Sequence, residues 1–467
     1  MNSAPRVLMT LATLIGICFA MTLWTGTTGA DDTETGGRTP TPSTPPDAID
    51  VHDLTTMEDM TQNQRVLLQG FYQPGDGGEG LFRYRARSQQ PHDGGIVIAP
   101  GAPNPADDLQ AYLNFKPSQA RGRWVRQSDH AHTDVRWYGA HADGEHDDAP
   151  AINHAIAFLH NHDRPGETYI PAGTYRLNSQ IFLRANVNLR GAGINATYLH
   201  RDDSKYLIQT GDRGPLHATV SHMTLQSPHY VAGCDGVSYV NFQHVRFRGG
   251  IVRFTGSQFM RIEHCEFHDT VGKSAYASDA CTHVTITNNL IRNAELGGIN
   301  LSRHSHSVVS NNIIVKDQLP AGSTGYGAIR LPNDAQFNTV TGNVITNHPR
   351  GIFVLSGSSH NTISNNVVDG AEQQAVLVQS DHNIVANNII SNPDADAALI
   401  QIHKANGNIV LANQLTTDTA DHAALVVSFD SRNNQVLNNV IDASLPLSAS
   451  AEARQTNTFT NNTDVRR

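Results

Sequence analysis

A short pattern of alternating apolar and polar residues recurs along the C-terminal half of the chain. It is clearest in three phrases that begin at Asn338, Asn361 and Asn383 and read Asn-Thr-Val-Thr-Gly-Asn-Val-Ile, Asn-Thr-Ile-Ser-Asn-Asn-Val-Val and Asn-Ile-Val-Ala-Asn-Asn-Ile-Ile. Alternation with a period of two predicts short strands with one buried face. The position of the second Asn of each pair recurs at Met223, Val245, Cys265, Asn289, Asn312, Asn343, Asn366, Asn388, Asn413, Asn439 and Asn462.

The spacing of this position is 20–26 residues, apart from one gap of 31 residues between Asn312 and Asn343. A fixed period of this length predicts a solenoid. Asn tolerates the left-handed turn conformation, and identical Asn side chains in register can hydrogen-bond along a stack. We therefore predict an all-β parallel β-helix of about eleven coils with a core of Val and Ile. A leucine-rich repeat has a similar period, but the repeat here has no regular Leu frame and no helical segment.

A second strand follows each Asn-Asn phrase. Alternation directs Ile299, Leu301, Ile329, Leu331, Ile400 and Ile402 into the core. The intervening residues are predicted to face outward as one surface, and they are Tyr276, Asn300, Arg330, Phe353, Leu377, Gln401 and His403.

The rest of the chain divides into segments of different composition. Residues 1–30 combine an early Arg6, an apolar run and a small-residue end, which predicts a signal peptide and export, so that the mature protein has no membrane span. Residues 31–50 form a Pro/Thr-rich linker, residues 51–130 a small β-rich module, and residues 131–467 the β-helix. Asp147 or Asp148 is predicted to cap a helix that closes the open N-terminal end of the β-helix.

The charge and the cysteine content limit which binding partners and metal sites can be expected. Charged residues are 16% of the chain, the formal net charge is −10 and Lys occurs only five times, which argues against nucleic-acid binding but not against an anionic polysaccharide. Cys265 occupies a stacking position and is predicted to be a small buried residue; one disulfide among Cys234, Cys265 and Cys281 is left open. No His or Cys spacing indicates a zinc site, so no metal or cofactor is predicted.

The most specific motif runs from Asp134 to Asp148 and reads Asp-Val-Arg-Trp-Tyr-Gly-Ala-His-Ala-Asp-Gly-Glu-His-Asp-Asp; Thr168-Tyr-Ile-Pro-Ala-Gly-Thr-Tyr175 follows it. This stretch resembles the N-terminal region of the pectate-lyase-like superfamily of right-handed parallel β-helix proteins. That superfamily includes polysaccharide lyases, glycoside hydrolases, alginate C5-epimerases and tailspike depolymerases. The resemblance covers residues 134–467 and implies a saccharide groove along one sheet. It leaves open Ca²⁺, which some lyases use, and a homotrimer, as in tailspikes.

The single long gap predicts the position of the site. About eight extra residues within Lys316–Gly327 come directly before the outward Arg330, where an inserted loop would wall a cleft. The candidate catalytic residues around this insertion are Arg330, Lys273, His304, Arg303 and Asp279. The candidate substrate-binding residues are Tyr276, Asn300, Lys316, Tyr326, Asp334 and Phe353.

Three reactions fit these residues to different degrees. In β-elimination at a uronic acid, cations such as Arg330 and Arg303 neutralise the carboxylate while a base removes the C5 proton. A hydrolase needs two carboxylates ~5–9.5 Å apart, and no tight pair is visible in the sequence. Tyr276-Ala-Ser-Asp279 resembles the first half of the Tyr-x-x-Asp-Pro-His motif of alginate C5-epimerases, but Ala280-Cys281 replaces Pro-His.

We therefore predict a secreted or periplasmic enzyme that cleaves a polysaccharide, with lyase chemistry on an anionic substrate ahead of hydrolysis and epimerisation. The alternative from another class is a glycan-binding, spike or adhesin β-helix without catalysis, because fold alone does not give activity.

Overall fold

The computed structural model describes residues 47–118, 121–162, 165–272, 274–318, 326–392 and 397–466. The predicted signal peptide and most of the predicted linker lie outside these residues. The strand Asp47–Ala48, which pairs with Arg65–Leu68, falls at the end of the segment assigned to the linker. Its sheet has the strand order Asp47–Ala48, Arg65–Leu68, Gly80–Arg85, Arg123–Arg126 and Val97–Ile98, with helices Val51–Thr56 and Leu109–Leu113 beside it.

The first coils of the β-helix carry the predicted helix, Ala149–Asn161. Its apolar residues, among them Ile152 and Leu159, are buried. The Asp147 carboxylate accepts a hydrogen bond from the Ala149 amide (3.2 Å), whereas the side chain of Asp148, which directly precedes the helix, makes no capping hydrogen bond. The helix packs against several of the strands of these coils. The elements of this region are His132–Asp134, the 3-10 helix Val135–Tyr138, Asp143–Asp147, Gly166–Ile170, Gly173–Arg176, Ile181–Leu183, Val187–Gly191, Thr197–His200, Tyr206–Thr210, Gly214–Asp235 and Val237–Thr255.

From residue 261 onward each coil contributes one short strand to each of three parallel stacks. Every strand pairs in register with its equivalent in the next coil, which is the arrangement that the period predicted. The first stack consists of Arg261–Glu263, Thr285–Thr287, Val308–Ser310, Thr339–Thr341, Thr362–Ser364, Ile384–Ala386, Ile409–Leu411, Gln435–Leu437 and Thr458–Thr460. The second consists of Glu266–His268, Leu290–Arg292, Ile313–Val315, Val344–Thr346, Val367–Asp369, Ile389–Ser391, Gln414–Thr416, Val440–Asp442 and Thr463–Asp464.

The third stack corresponds to the second strand predicted after each Asn-Asn phrase. Inward residues such as Ile299, Leu301 and Ile329 are fully buried, as predicted. A short helix, Ala451–Thr456, follows the last strand of this stack. The strands are Ser274–Asp279, Gly297–Ser302, Gly327–Leu331, Arg350–Val354, Val376–Val378, Ile400–Ile402, Leu425–Val427 and Leu447–Ala449.

The predicted asparagine ladder is present. The first Asn of a pair adopts the left-handed conformation, with φ of 56° at Asn365 and 57° at Asn387. The second Asn is buried, and its side-chain amide donates to the Asn oxygen of the next coil at 2.9–3.0 Å. A second buried ladder, which the sequence analysis did not predict, runs through the Asn residues that open the phrases, from Asn338 to Asn457.

The histidines are numerous because many of them occupy left-handed turn positions. At one corner such turns stack their rings on those of the neighbouring coils, with centroids 4.6–5.6 Å apart. His is one of the residue types enriched at positive φ, and ring stacking adds a repeated contact. The stacked rings are His217, Tyr239, Phe259, His283, His306, Phe337, His360 and His382.

The number of coils differs from the sequence prediction, and the state of the cysteines, which the sequence left open, is now defined. The β-helix has more than the predicted eleven coils, because the coils formed by residues 132–210 lack the Asn phrase from which coils were counted. The cysteines at positions 234, 265 and 281 are free and buried, so Cys265 is a core residue as predicted and the disulfide left open is not formed. Among the described residues, no helix is long and apolar enough to cross a membrane.

Candidate functional site

One outward row of the third stack brings three of the predicted site residues together, Asn300, Arg330 and Phe353. In-register pairing aligns Ala277 with Asn300, Asn300 with Arg330, and Arg330 with Phe353. Each step of this row is one inter-strand spacing, about 4.8 Å, so the side chains form a continuous surface. The row continues through Leu377 and Gln401.

Arg330 lies at the centre of this surface between two aromatic rings. Its guanidinium carbon is 4.8 Å from the centroid of the Tyr326 ring and 5.8 Å from that of the Phe353 ring. Both contacts are cation–π interactions, which hold the guanidinium beside the two rings. Its buried Nε has no hydrogen-bond partner in the described structure, and neither has the buried Oδ1 of Asn300 on the adjacent strand. Buried polar atoms are usually hydrogen-bonded, so these two atoms need a partner that the protein itself does not supply.

Arg350 adds a second cation from the next coil. Its guanidinium carbon lies 4.8 Å from the centroid of the Phe353 ring, and its Nε donates to Gln374 Oε1 at 3.0 Å. Gln374 in turn donates to Gln401 at 2.8 Å. Burial and then repulsion from Arg330 lower the pKa of Arg350, so the two guanidinium groups act on each other. This part of the surface is cationic and aromatic.

A polar corner flanks the same face one coil away. Arg303 forms a two-pronged ion pair with Asp279, one bond of which is 2.8 Å long. This pair, together with a hydrogen bond from Ser302, holds the pKa of Asp279 below its usual value. Asp279 therefore stays ionised at neutral pH and is not a proton donor there. Asp334 is exposed at the adjacent turn and acts electrostatically on Arg303.

The structure contradicts three of the site predictions. Tyr276 is fully buried, because it pairs in register with Val252 and Ile299, which are core residues; the alternation was applied one residue out of register in this coil. His304 is also fully buried between Ser278 (2.6 Å) and Ser307 (3.1 Å). Burial lowers the pKa of His304 to about 3, and a histidine enclosed in the core cannot reach a substrate proton.

Lys316 is the third residue whose predicted place in the site the structure contradicts. Its Nζ is turned inward and donates to the carbonyl oxygens of Ala294 (2.5 Å) and Glu295 (2.8 Å), so it supports the loop rather than facing a substrate. Lys273 lies outside the described residues, as do residues 319–325 of the predicted insertion. The assignments of Lys273 and of the insertion as a cleft wall stay predictions.

Sequence reasoning missed Arg350. It opens its strand two residues before the inward Ile352, so strict alternation directs it to the core. The alternation fails where the chain bends into the strand, and the side chain reaches the Phe353 ring instead. The residue type could have indicated the position of Arg350, because a charged residue at an inward position is almost never buried without a partner.

Comparisons with known proteins bear on fold and family. The model of the family described as "Rhamnogalacturonase A/epimerase, pectate lyase-like" matches residues 132–372. Residues 48–129 match "Phage tail protein small four-stranded beta-sheet domain", and residues 333–465 match "Periplasmic copper-binding protein (NosD)". Alginate lyase 7 of Azotobacter vinelandii is 24% identical over 206 residues, which are 38% of this chain and only 24% of that protein.

Two solved structures have a similar fold. DFA-IIIase from Arthrobacter chlorophenolicus superposes with a TM-score of 0.56 at 14% identity, covering 71% of this chain and 98% of its own. The tailspike protein gp49 of the Acinetobacter baumannii bacteriophage Fri1, a capsular polysaccharide depolymerase, gives a TM-score of 0.53 at 15% identity and covers 90% of this chain and 75% of its own. At these identities the likeness concerns the fold alone.

The family match covers more than half of the chain and includes the strands that carry Asn300, Arg330 and Phe353. The expected right-handed parallel β-helix is also what the structure contains. The chain belongs to the rhamnogalacturonase A/epimerase family of pectate-lyase-like proteins.

Proposed function

We propose that this protein cleaves an anionic polysaccharide by β-elimination at a uronic acid bound on the surface centred on Arg330. The observation that supports this most is the pair of neighbouring cations, Arg330 and Arg350, held by the rings of Tyr326 and Phe353. Two guanidinium groups that repel each other are stabilised by an anion placed between or above them. A uronate carboxylate is such an anion, and its sugar ring has apolar faces that suit the adjacent aromatic rings.

The reaction needs the carboxylate charge neutralised. When a base removes the proton on C5, negative charge develops on the carboxylate; a C4–C5 double bond then forms, the C4–O bond breaks and the departing oxygen takes a proton. Cations fixed at the carboxylate stabilise this state more than the ground state, which is what accelerates the reaction. In this proposal Arg330 and Arg350 have that role. Asn300, with its unpartnered Oδ1, accepts a hydrogen bond from a sugar hydroxyl.

The proton acceptor is a separate assignment. Burial removes His304 and Lys316 from consideration. Lys273 remains a candidate from the sequence, and Tyr326 is a second candidate because its phenol belongs to the ring that contacts Arg330. The Asp279–Arg303 pair borders the site and supplies further polar contacts to the chain of sugars. The predicted signal peptide fits a substrate found outside the cytoplasm.

The test is to incubate the full chain with pectate, alginate, glucuronan, hyaluronan and neutral glycans. Ultraviolet absorbance of the unsaturated uronate and new reducing ends are followed together. A rise of both on one polyuronate supports the proposal. Reducing ends without absorbance mean hydrolysis, and loss of the C5 proton to solvent without cleavage means epimerisation; either result refutes β-elimination. Binding without any of these changes means a glycan-binding protein.

Variants locate the activity. Arg330→Lys keeps the charge but removes the flat, forked guanidinium, and it is expected to lose most turnover while the protein stays folded. Arg350→Ala is expected to weaken binding and turnover together. The matched control is Arg292→Ala, which removes an exposed guanidinium of the second stack that is paired with Asp317 (2.9 Å). Tyr326→Phe separates the two roles of Tyr326, because it keeps the ring and removes the proton acceptor.

A further inference from the structure

A cluster of two histidines and an aspartate lies far from the Arg330 surface in sequence, in the turn at the start of the β-helix. One ligand atom of each of His141, Asp143 and His146 lies within 4.8 Å of the others. His141 comes just before the strand Asp143–Asp147, which carries Asp143 and His146, and the backbone has positive φ at Ala142 (60°) and Gly144 (81°). The backbone thus turns three side chains with metal-binding atoms to the same side.

We propose that His141, Asp143 and His146 form a binding site for a divalent first-row transition-metal ion, such as Zn²⁺. Two imidazoles and one carboxylate are a ligand set that suits such ions, whereas Ca²⁺ and Mg²⁺ prefer oxygen ligands alone. Bond lengths of about 2.0–2.2 Å place tetrahedral ligand atoms about 3.3 Å apart. The three ligand atoms therefore have to approach one another by at most about 1.5 Å from where they stand now.

Two of the three ligands are already held in place. The His141 ring is stacked between the Tyr72 ring (4.4 Å) and the His146 ring (4.0 Å), and the Tyr72 hydroxyl donates to the Gly139 carbonyl at 3.0 Å. Asp143 Oδ1 accepts hydrogen bonds from the backbone amides of Glu145 (2.8 Å) and His146 (3.0 Å), so its other oxygen is fixed in direction. Supporting contacts of this kind orient metal ligands and strengthen binding.

His146 is the ligand that has to move. Its side chain is 58% exposed, and its Nδ1 lies 2.7 Å from Asp143 Oδ2. The parallel stack with His141 keeps the two ring planes from meeting at one point, so the ring must rotate out of the stack to present a nitrogen to an ion shared with His141. An exposed side chain rotates at little cost, and the ion would replace the hydrogen bond between His146 and Asp143.

The site opens onto a cleft between the small N-terminal module and the first coil. The cleft has a volume of about 440 Å³ and is lined by Tyr72, Pro105, Ala106, Leu109, His141, His146 and Asp147. Three protein ligands leave at least one coordination position of a Zn²⁺ ion open, as in sites where the ion holds water or a substrate group. Because Tyr72 belongs to the N-terminal module and His141 to the first coil, a bound ion would also stabilise the junction of the two.

The test is a titration of the metal-free full chain with Zn²⁺, with Co²⁺ as a spectroscopic substitute. We expect one tight equivalent per chain, a rise of the melting temperature and Co²⁺ absorption bands of low coordination number. His146→Gln and Asp143→Asn are each expected to weaken binding at least ~10-fold without changing the melting temperature of the metal-free protein.

The matched control is His306→Gln, which removes an exposed histidine that also stacks on another histidine, His283 (5.4 Å). It should leave the tight equivalent intact. Loss of binding in His306→Gln to the same degree as in His146→Gln would show general surface binding by histidines and would overturn the proposal. So would the absence of a tight equivalent in the unaltered chain, or unchanged binding in both site variants.

Discussion

The asparagine ladder can be tested by removing one member, Asn366→Ala. The Asn366 side chain is fully buried and makes four hydrogen bonds. Its Oδ1 accepts from the backbone N–H (3.0 Å) and the side-chain amide (2.9 Å) of Asn343, and its Nδ2 donates to Val340 O (3.0 Å) and Asn388 Oδ1 (3.0 Å). The truncation removes all four while leaving the backbone of the coil in place.

The expected loss follows from what each partner keeps. The Asn343 side-chain amide still bonds to Val309 O (3.0 Å), and Asn388 Oδ1 still accepts from the Asn366 backbone N–H (3.0 Å). The backbone N–H of Asn343, by contrast, is left buried without its acceptor. One orphaned donor costs about 1–3 kcal/mol, and the three further net bonds cost about 0.5–1.5 kcal/mol each. We therefore expect the free energy of unfolding to fall by about 5 kcal/mol.

Chemical denaturation followed by fluorescence measures this loss, and hydrogen exchange locates it. The Asn343 amide and its neighbours in the two adjacent coils are expected to lose protection first, because the coils of a solenoid depend on their nearest neighbours. The control is Asn365→Gly, which alters the adjacent exposed residue and keeps its positive φ (56°). It should cost less than about 1 kcal/mol. If Asn366→Ala unfolds at the same denaturant concentration as Asn365→Gly, the ladder is not a stabilising element.

Three further predictions concern individual residues. Ala412 adopts φ of 52° where most coils have Asn, so Ala412→Asn is expected to raise the free energy of unfolding by about 0.5–1 kcal/mol, measured by the same denaturation; no gain would contradict the assigned strain. Burial holds the pKa of His304 at about 3 against 6.5 in the unfolded chain, so the unfolded chain binds the extra proton and stability falls as the pH is lowered from 6.5 towards 3. His304→Gln should make this decline shallower by about 1.4 kcal/mol per pH unit, and an unchanged slope would refute it. Tyr276→Phe should leave activity on any substrate unchanged because Tyr276 is a core residue, whereas a drop in activity would return it to the site.

The fold could be predicted from the sequence because the same physical demand repeats in every coil. Each turn needs a residue that tolerates positive φ, each buried turn needs a side chain that both donates and accepts, and Asn meets both demands at neighbouring positions. From the repeats at Asn366 and Asn388, the strand positions, the register of the stacks and the ladder could therefore all be predicted. The coils formed by residues 132–210 lack the Asn phrase, which is why the number of coils was underestimated.

The site was harder to predict, because the errors in the predicted site residues arise where the repeat is interrupted. Tyr276 comes after a corner of a length that differs from the next coil, so its alternation could not be set by counting, and only the pairing with Ile299 fixes it as a core residue. His304 was judged by its chemistry, yet the hydroxyl groups of Ser278 and Ser307 satisfy a buried imidazole at that corner. The position of Arg330 and Phe353 in one row of the third stack could be predicted because both lie within regular strands.

The asparagine ladder and the third stack differ in how their side chains vary from coil to coil. The ladder repeats one residue type coil after coil, because each member is bonded to the next and cannot change alone. The outward row of the third stack changes at each step, from Asn300 to Arg330, Phe353, Leu377 and Gln401, although its backbone repeats in register. Stacking of the backbone does not require this variation in the outward side chains. A surface that fits one particular ligand requires different side chains at successive positions. This row provides them on a backbone that repeats from coil to coil.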